Sequence, residues 1–284
     1  MTRPFSLVDV FAESPFTGNP LAVVTGGAGL DTADMQRITQ WLNLSETAFL
    51  LPPTDPNADY KVRIFTLERE LPFAGHPTLG TCHVWLEAGG IPKRGDAVVQ
   101  ECGLGLVKIK RASDSAGVGR LAFAAPPRTR TGPLDDATLD DICTSMQISR
   151  ADIVAHEWLI NGPTWAGVLL KDAAAVRAVK PLGSWPAHFD VGLVGLAEPG
   201  AETAYEVRGI FTNHMGTLIE DPVTGSLNAG VAQWLIGSGR VTAPYVAAQG
   251  SCVGRAGRIH VHGADGEIWI GGATHTLFSG TTRF

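Results

Sequence analysis

Ile64-Phe65-Thr66, eight loop residues and Gly75-His76-Pro77-Thr78 form a stretch that returns later as Ile210-Phe211-Thr212, eight loop residues and Asp221-Pro222-Val223-Thr224. The offset is 146 for both parts (210 − 64 and 221 − 75). A unit repeated at fixed spacing changes the architecture to expect, because each copy is one supersecondary unit. In both copies a β-branched strand leads through the loop into a Pro-containing turn and then an apolar helix. The first helix, read over 77–88, carries Leu79, Cys82, Val84, Trp85 and Leu86; the second, over 226–236, carries Leu227, Val231, Trp234, Leu235 and Ile236. Neither has a charged face, and a helix apolar around most of its circumference belongs inside a fold. Each is predicted to be a central rod wrapped by sheet, stopped by Gly89-Gly90 and by Gly237.

Around these rods lie short apolar or alternating runs at 21–24, 48–51, 60–65, 104–110, 168–170, 191–196, 258–262 and 267–270, which read as strands. Asp265-Gly266 separates the last two and signals a hairpin, because the turn needs positive φ. Amphipathic surface helices are expected at 32–42 and 136–146, each opening with acidic residues that suit the positive helix end. The Pro126-Pro127 stretch through Pro133 marks a connection between the copies. The expected class is therefore α+β, with a first half over 1–118, a second over 119–272, and a terminal strand near 273–284 returning to the first.

The chain has 284 residues, 44% hydrophobic and 18% charged, enough apolar side chain to bury a core. The net charge of −6, without a Lys/Arg block, argues against nucleic acid or anionic lipid as a partner and for a small molecule. The N-terminus has no apolar segment of signal-peptide length and the chain has no run of about 18 apolar residues, which predicts a cytoplasmic protein. Cys82, Cys102, Cys143 and Cys252 lack Cys-x-x-Cys spacing and are expected to be mostly buried thiols.

A buried helix begins with N–H groups that have no intrahelical partner, and leaving each dry and unpaired costs about 1–3 kcal/mol. Two such starts, related by the repeat, are expected to open toward the seam between the halves and take a carboxylate-bearing ligand. The alternative is that Thr78, Thr224 or Ser226 caps these ends. Capping accounts for Thr and Ser but not for His76 and Asp221 at the same places. His76 is held at the first entrance; Asp221 occupies the second, where a helix dipole favours its ionised form, unless it serves as an ordinary N-cap. Ser226 is a hydrogen-bond donor from the first turn. Glu46, at the mouth of an apolar strand, is either a partly desolvated acid/base or a solvated loop carboxylate.

The stretches Phe16-Thr17-Gly18-Asn19-Pro20-Leu21-Ala22-Val23-Val24, Leu44-Ser45-Glu46-Thr47, Glu70-Leu71-Pro72-Phe73-Ala74-Gly75-His76-Pro77-Thr78-Leu79-Gly80 and Glu220-Asp221-Pro222-Val223-Thr224-Gly225-Ser226 together resemble the PhzF family of phenazine-biosynthesis-type isomerases. Gln249-Gly250, Gly254-Arg255 and Gly257-Arg258 extend the likeness over nearly the whole chain. The resemblance implies a diaminopimelate-epimerase-like fold of two pseudo-symmetric halves, each a barrel-like sheet around a central helix. It also implies a homodimer and no cofactor or metal. It assigns proton transfer between substrate carbons to Glu46, and matches His76, Asp221 and Ser226 to the family's other catalytic positions. Asn19, Gly75, Pro77, Thr78, Thr224 and Gly225 would bind substrate, chiefly through the backbone of the two helix starts. Epimerase and racemase relatives carry a cysteine at each entrance, where this chain has Gly75 and Asp221, which disfavours a two-thiol racemase.

Other readings compete with this one. His260 and His262 alternate onto one strand face, as metal ligands could, but no third ligand has a recognisable spacing. No G-x-G-x-x-G or Walker sequence follows a strand, and no G-x-S-x-G elbow is present. A racemase or epimerase of an amino or hydroxy acid, or a non-catalytic binding protein on the same fold, stays open as an alternative function.

Overall fold

The structure, a computed structural model, describes residues 2–95, 97–112, 120–213, 215–264 and 266–284. The chain divides into two compact units, Met1–Ala124 with Gly271–Phe284, and Ala125–Ile270. The expected boundary at 118/119 lies outside the described residues, and so does Asp265 of the expected hairpin turn. Its neighbour Gly266 has the positive φ such a turn needs, 77°.

In chain order the elements are β1 (Arg3–Val10), β2 (Asn19–Thr25), α1 (Thr32–Leu42), β3 (Thr47–Leu51), β4 (Tyr60–Phe65), β5 (Glu70–Leu71), α2 (Gly75–Glu87), β6 (Ala97–Cys102), β7 (Gly105–Ala112) and β8 (Arg120–Ala124). There follow α3 (Asp136–Met146), β9 (Ile153–Trp158), β10 (Trp165–Leu170), α4 (Ala173–Ala178), β11 (Asp190–Leu196), β12 (Tyr205–Thr212), β13 (Leu218–Asp221), α5 (Gly225–Gly237), β14 (Tyr245–Gln249), β15 (Gly257–Ala264), β16 (Glu267–Gly272) and β17 (Thr274–Thr282). In the first unit β1 runs antiparallel to β17 and β2, β2 parallel to β3, β3 antiparallel to β4, β4 parallel to β6, and β6 antiparallel to β7. In the second, β9 is antiparallel to β10, β10 parallel to β11, β11 antiparallel to β12, β12 parallel to β14, and β14 antiparallel to β15. The duplication is therefore one of topology as well as of sequence.

Each unit wraps its strands around one helix. Nine of the 13 residues of α2 and ten of the 13 of α5 are buried. A Leu side chain moved from water into such a core contributes about 1.5–3 kcal/mol, which is why helices without a polar face settle inside. The approach is close: a Cβ on Gly80 of α2 would stand 2.6 Å from Leu21 Cδ2 and 3.0 Å from Val10 Cγ2. The surface helices start as expected, with Asp31 and Asp135 each accepting a backbone N–H as N-cap. Among the described residues no helix is long and apolar enough to cross a membrane.

Three sequence expectations need correction. The central helices start earlier than Pro77 and Ser226, at Gly75 and Gly225, with Ala74 and Thr224 as extended N-cap residues that make no side-chain cap bond. Gly237 is the last helical residue of α5, not its stop; the left-handed position after the helix falls to Gly239, φ 72°. Cys252 is exposed, in a 3-10 turn after β14, while Cys82 and Cys102 are buried and Cys143 is half-buried.

Candidate active site

In the first unit the site begins with a loop held rigid from below. Asp9, on β1, accepts the N–H of Thr17 and of Gly18 on its two carboxylate oxygens, each at 3.0 Å. The chain then enters β2 at Asn19, whose side chain is fully buried. Asn19 Nδ2 lies 3.5 Å from His76 Nδ1, and His76 Nε2 lies 3.4 Å from Glu46 Oε2. Three elements thus set the row Asn19–His76–Glu46: β2, the first turn of α2, and the residue before β3.

The Asn19 amide stands beside Nδ1 and the Glu46 carboxylate beside Nε2, and the tautomer sets which ring nitrogen donates. Burial pushes the His76 pKa down to about 3. A carboxylate at 3.4 Å would act in the opposite direction, but desolvation dominates, so His76 is neutral near pH 7 and its contact with Glu46 is dipolar. Glu46 keeps 16% side-chain exposure against 3% for His76, which leaves the carboxylate a route to a ligand. The first unit accordingly presents a carboxylate next to a neutral imidazole, a pairing that suits proton transfer.

In the second unit β13 ends at Asp221, and α5 begins at Gly225 after the N-cap Thr224. Asp221 is therefore not an ordinary N-cap. Thr224 Oγ1 donates to Asp221 Oδ2 at 2.6 Å. Neither Ala74, the N-cap of α2, nor Thr224 caps its helix through a side chain. The three residues expected as possible caps bond elsewhere. Thr78 Oγ1 donates to the Ala74 carbonyl at 2.9 Å, Thr224 Oγ1 to Asp221, and Ser226 Oγ accepts the Trp165 indole N–H at 3.1 Å. The first-turn N–H groups at Gly75, His76, Gly225 and Ser226 have no i−4 carbonyl within their helices. Pro77 has no N–H, and those of Thr78 and Thr224 are engaged, by the Ala74 carbonyl and by Gln249 Oε1.

Four residues of this architecture are given no role by the motifs, Gln249 among them although Gln249-Gly250 belongs to the likeness. Asn161 Nδ2 donates to the Ser226 carbonyl at 2.9 Å and Trp165 orients Ser226. Gln249 and Asn228 lace the start of α5. A signal for Asn161 was available: Asn19-Pro20 at the start of β2 and Asn161-Gly162-Pro163 ahead of β10 each put an asparagine and a proline at the entrance of a strand, and each asparagine reaches the first turn of its central helix.

The two units differ where chemistry is concerned. Phe65 of β4 pairs with Thr47, and its repeat mate Phe211 of β12 pairs with Asp190. The residue before each partner is Glu46 in one unit and Phe189 in the other, so the carboxylate has no second copy. His260 is half-buried and His262 exposed on β15, and among the described residues no group of three or more His, Cys, Asp or Glu side chains is placed to hold a metal ion.

Comparison with known proteins agrees with this arrangement. A family model described as phenazine biosynthesis-like protein, PhzC-PhzF, matches residues 8–280. Antisense-enhancing sequence 1 of Schizosaccharomyces pombe is 30% identical over 296 residues, covering 97% of each chain. The trans-2,3-dihydro-3-hydroxyanthranilate isomerase of Pseudomonas fluorescens is 32% identical over 254 residues, 88% of this chain and 87% of that one. The PhzF-family phenazine biosynthesis protein of Bacillus anthracis is similar in fold, with a TM-score of 0.82 at 21% identity over 100% of both chains. The expected epimerase-like α+β fold is the fold found. With two topologically equivalent units, a Glu46–His76 pair in one of them and a family model spanning nearly its full length, this chain belongs to the PhzC-PhzF family, a family of isomerases.

Proposed function

We propose that this chain moves a proton between two carbons of a small carboxylate-bearing molecule, with Glu46 as the acid/base. The observation that carries the reading is the placement of Glu46 Oε2 at 3.4 Å from the Nε2 of a buried imidazole whose pKa lies near 3. A neutral His76 takes no proton from the carboxylate beside it, so Glu46 remains available as base. Glu46 removes a proton from one carbon, the electron pair shifts along the conjugated system, and the protonated Glu46 returns the proton to a second carbon. Substrate and product have the same composition, as an isomerase requires. Negative charge developing on the substrate would be met by first-turn N–H groups of α2, whose dipoles are preorganised. Asp221 and Ser226 are the further residues assigned to the reaction.

The P. fluorescens relative is named for trans-2,3-dihydro-3-hydroxyanthranilate. That compound is the substrate to try first, followed by cyclic amino and hydroxy acids. The test is deuterium incorporation from heavy water, read by mass spectrometry, for the native chain and for Glu46→Gln. Exchange lost in the variant supports the reading; exchange at the native rate removes Glu46 from the mechanism. A two-thiol racemase is disfavoured by Gly75 and Asp221 at the helix entrances, and the buried Cys82 lies two turns further along α2.

A further inference from the structure

Gln249, at the end of β14, is 1% exposed and makes four side-chain hydrogen bonds. Its Nε2 donates to the Asp221 carbonyl at 3.1 Å and to Thr224 Oγ1 at 3.0 Å. Its Oε1 accepts from Thr224 N at 3.0 Å and from Asn228 Nδ2 at 2.7 Å. The backbone settles which way the amide points. A peptide N–H can only donate and a peptide carbonyl can only accept, so the end facing Thr224 N is oxygen and the end facing the Asp221 carbonyl is nitrogen. The direction of the next bond then follows. Thr224 Oγ1 receives a hydrogen from Gln249, and its single hydrogen is left for Asp221 Oδ2 at 2.6 Å.

We infer that Gln249 is a positioning residue that fixes the direction of the Thr224 hydroxyl, so that its proton is held on the Asp221 carboxylate. The inference rests on the reading that Asp221 takes part in the reaction.

The repeat provides an internal comparison. In the first unit Gln100 Nε2 donates to Thr78 Oγ1 at 3.0 Å, and Thr78 Oγ1 donates onward to the Ala74 carbonyl at 2.9 Å. The same Gln-to-Thr chain therefore exists in both units, and in the first it closes the helix start on a backbone oxygen. In the second it ends on an ionisable side chain. Space for it is kept open by Gly209 of β12, where a Cβ would stand 2.8 Å from Thr224 Oγ1 and 3.3 Å from Gln249 Nε2.

A neutron structure of the full chain reads the relay directly. The Thr224 hydroxyl hydrogen is expected on the line to Asp221 Oδ2; a hydrogen directed at Gln249 overturns the proposal whatever the chain catalyses. Kinetics with trans-2,3-dihydro-3-hydroxyanthranilate supply the second arm. Gln249→Met and Thr224→Val are each expected to lower kcat by about 10–100-fold, the range common for residues that orient a working group. KM should change by less than about threefold, as for an interaction made in the transition state. Thr224→Ser, which keeps the hydroxyl, should restore kcat. Equal loss in Thr224→Ser and Thr224→Val, or a loss confined to KM, overturns it. If Gln249→Met does not fold, Gly209→Ala keeps the chemistry of every relay group but displaces Thr224 Oγ1, and must show the same kcat loss. Absence of turnover by the native chain would count against the proposed function, while the neutron result would still decide the relay.

Discussion

The indole N–H of Trp165 ends on Ser226 Oγ at 3.1 Å. Since an indole nitrogen can only donate, the hydroxyl proton of Ser226 is directed away from Trp165 and is available to an acceptor. Trp165→Phe keeps the ring and removes the donor. The expected result is a stability loss of about 1 kcal/mol in a urea titration, the usual worth of one internal hydrogen bond. A fall in kcat should accompany it as Ser226 gains rotational freedom. An unchanged kcat would remove the orientation of Ser226 from the reaction.

Asp9 holds the turn before Asn19 by accepting two backbone N–H groups. Asp9→Ala leaves both without that acceptor, at about 1–3 kcal/mol for each one that stays buried. Thermal denaturation should show the loss, and His76 should lose its neighbour Asn19 as the turn relaxes. A melting temperature equal to that of the native chain would show that water replaces Asp9 fully.

Stability should depend on pH through His76. The folded protein binds a proton there only near pH 3, whereas an unperturbed histidine binds one near pH 6.5. Between those values the unfolded chain holds more protons, so unfolding free energy falls as pH falls through that window, by up to a few kcal/mol from this residue alone. The stability is fully present above about pH 6.5. His76→Gln should flatten the acid side of the stability curve, so that the native-minus-variant difference slopes between about pH 3 and 6.5. A curve with the same slope in native and variant protein would place the acid sensitivity elsewhere.

The four thiols should separate by reactivity. Cys252 is exposed, whereas burial pushes the Cys82 pKa up to about 12 and raises those of Cys102 and Cys143. A thiol reagent at neutral pH should label Cys252 first and leave Cys82 unmodified until the chain unfolds, because the thiolate is the reactive form. Peptide mapping after brief labelling identifies the site; early modification of Cys82 would mean that α2 opens readily.

Much of the fold was legible because its strongest signals are local. Apolar periodicity without a charged face marked 77–88 and 226–236 as interior helices, and the structure buries both. The surface helices at Thr32–Leu42 and Asp136–Met146 were legible through their acidic starts and one-sided patterns. The helix ends were less so. Where α2 and α5 begin depends on which groups satisfy their first N–H groups, and that is set by residues distant in sequence. The same holds for the polar lacing of the candidate site: Gln249 lies 25 residues from Thr224, and Asn161 lies 65 from Ser226. No spacing rule links such pairs.

The amino-acid sequence by itself determined that this protein is a duplicated unit with two interior helices, and it singled out Glu46, His76, Asp221 and Ser226 as the residues to watch. Hydrophobic periodicity, repeat spacing and motif order are properties of neighbouring residues, and neighbours are visible in a linear chain. Only the tertiary structure decided that His76 is buried beside Glu46 with its pKa lowered to about 3, that the register puts Phe189 where the other unit has Glu46, and that Gln249 aims the Thr224 hydroxyl at Asp221. Desolvation and hydrogen-bond direction arise from atoms brought together across many residues of chain, and they exist only once the chain is folded.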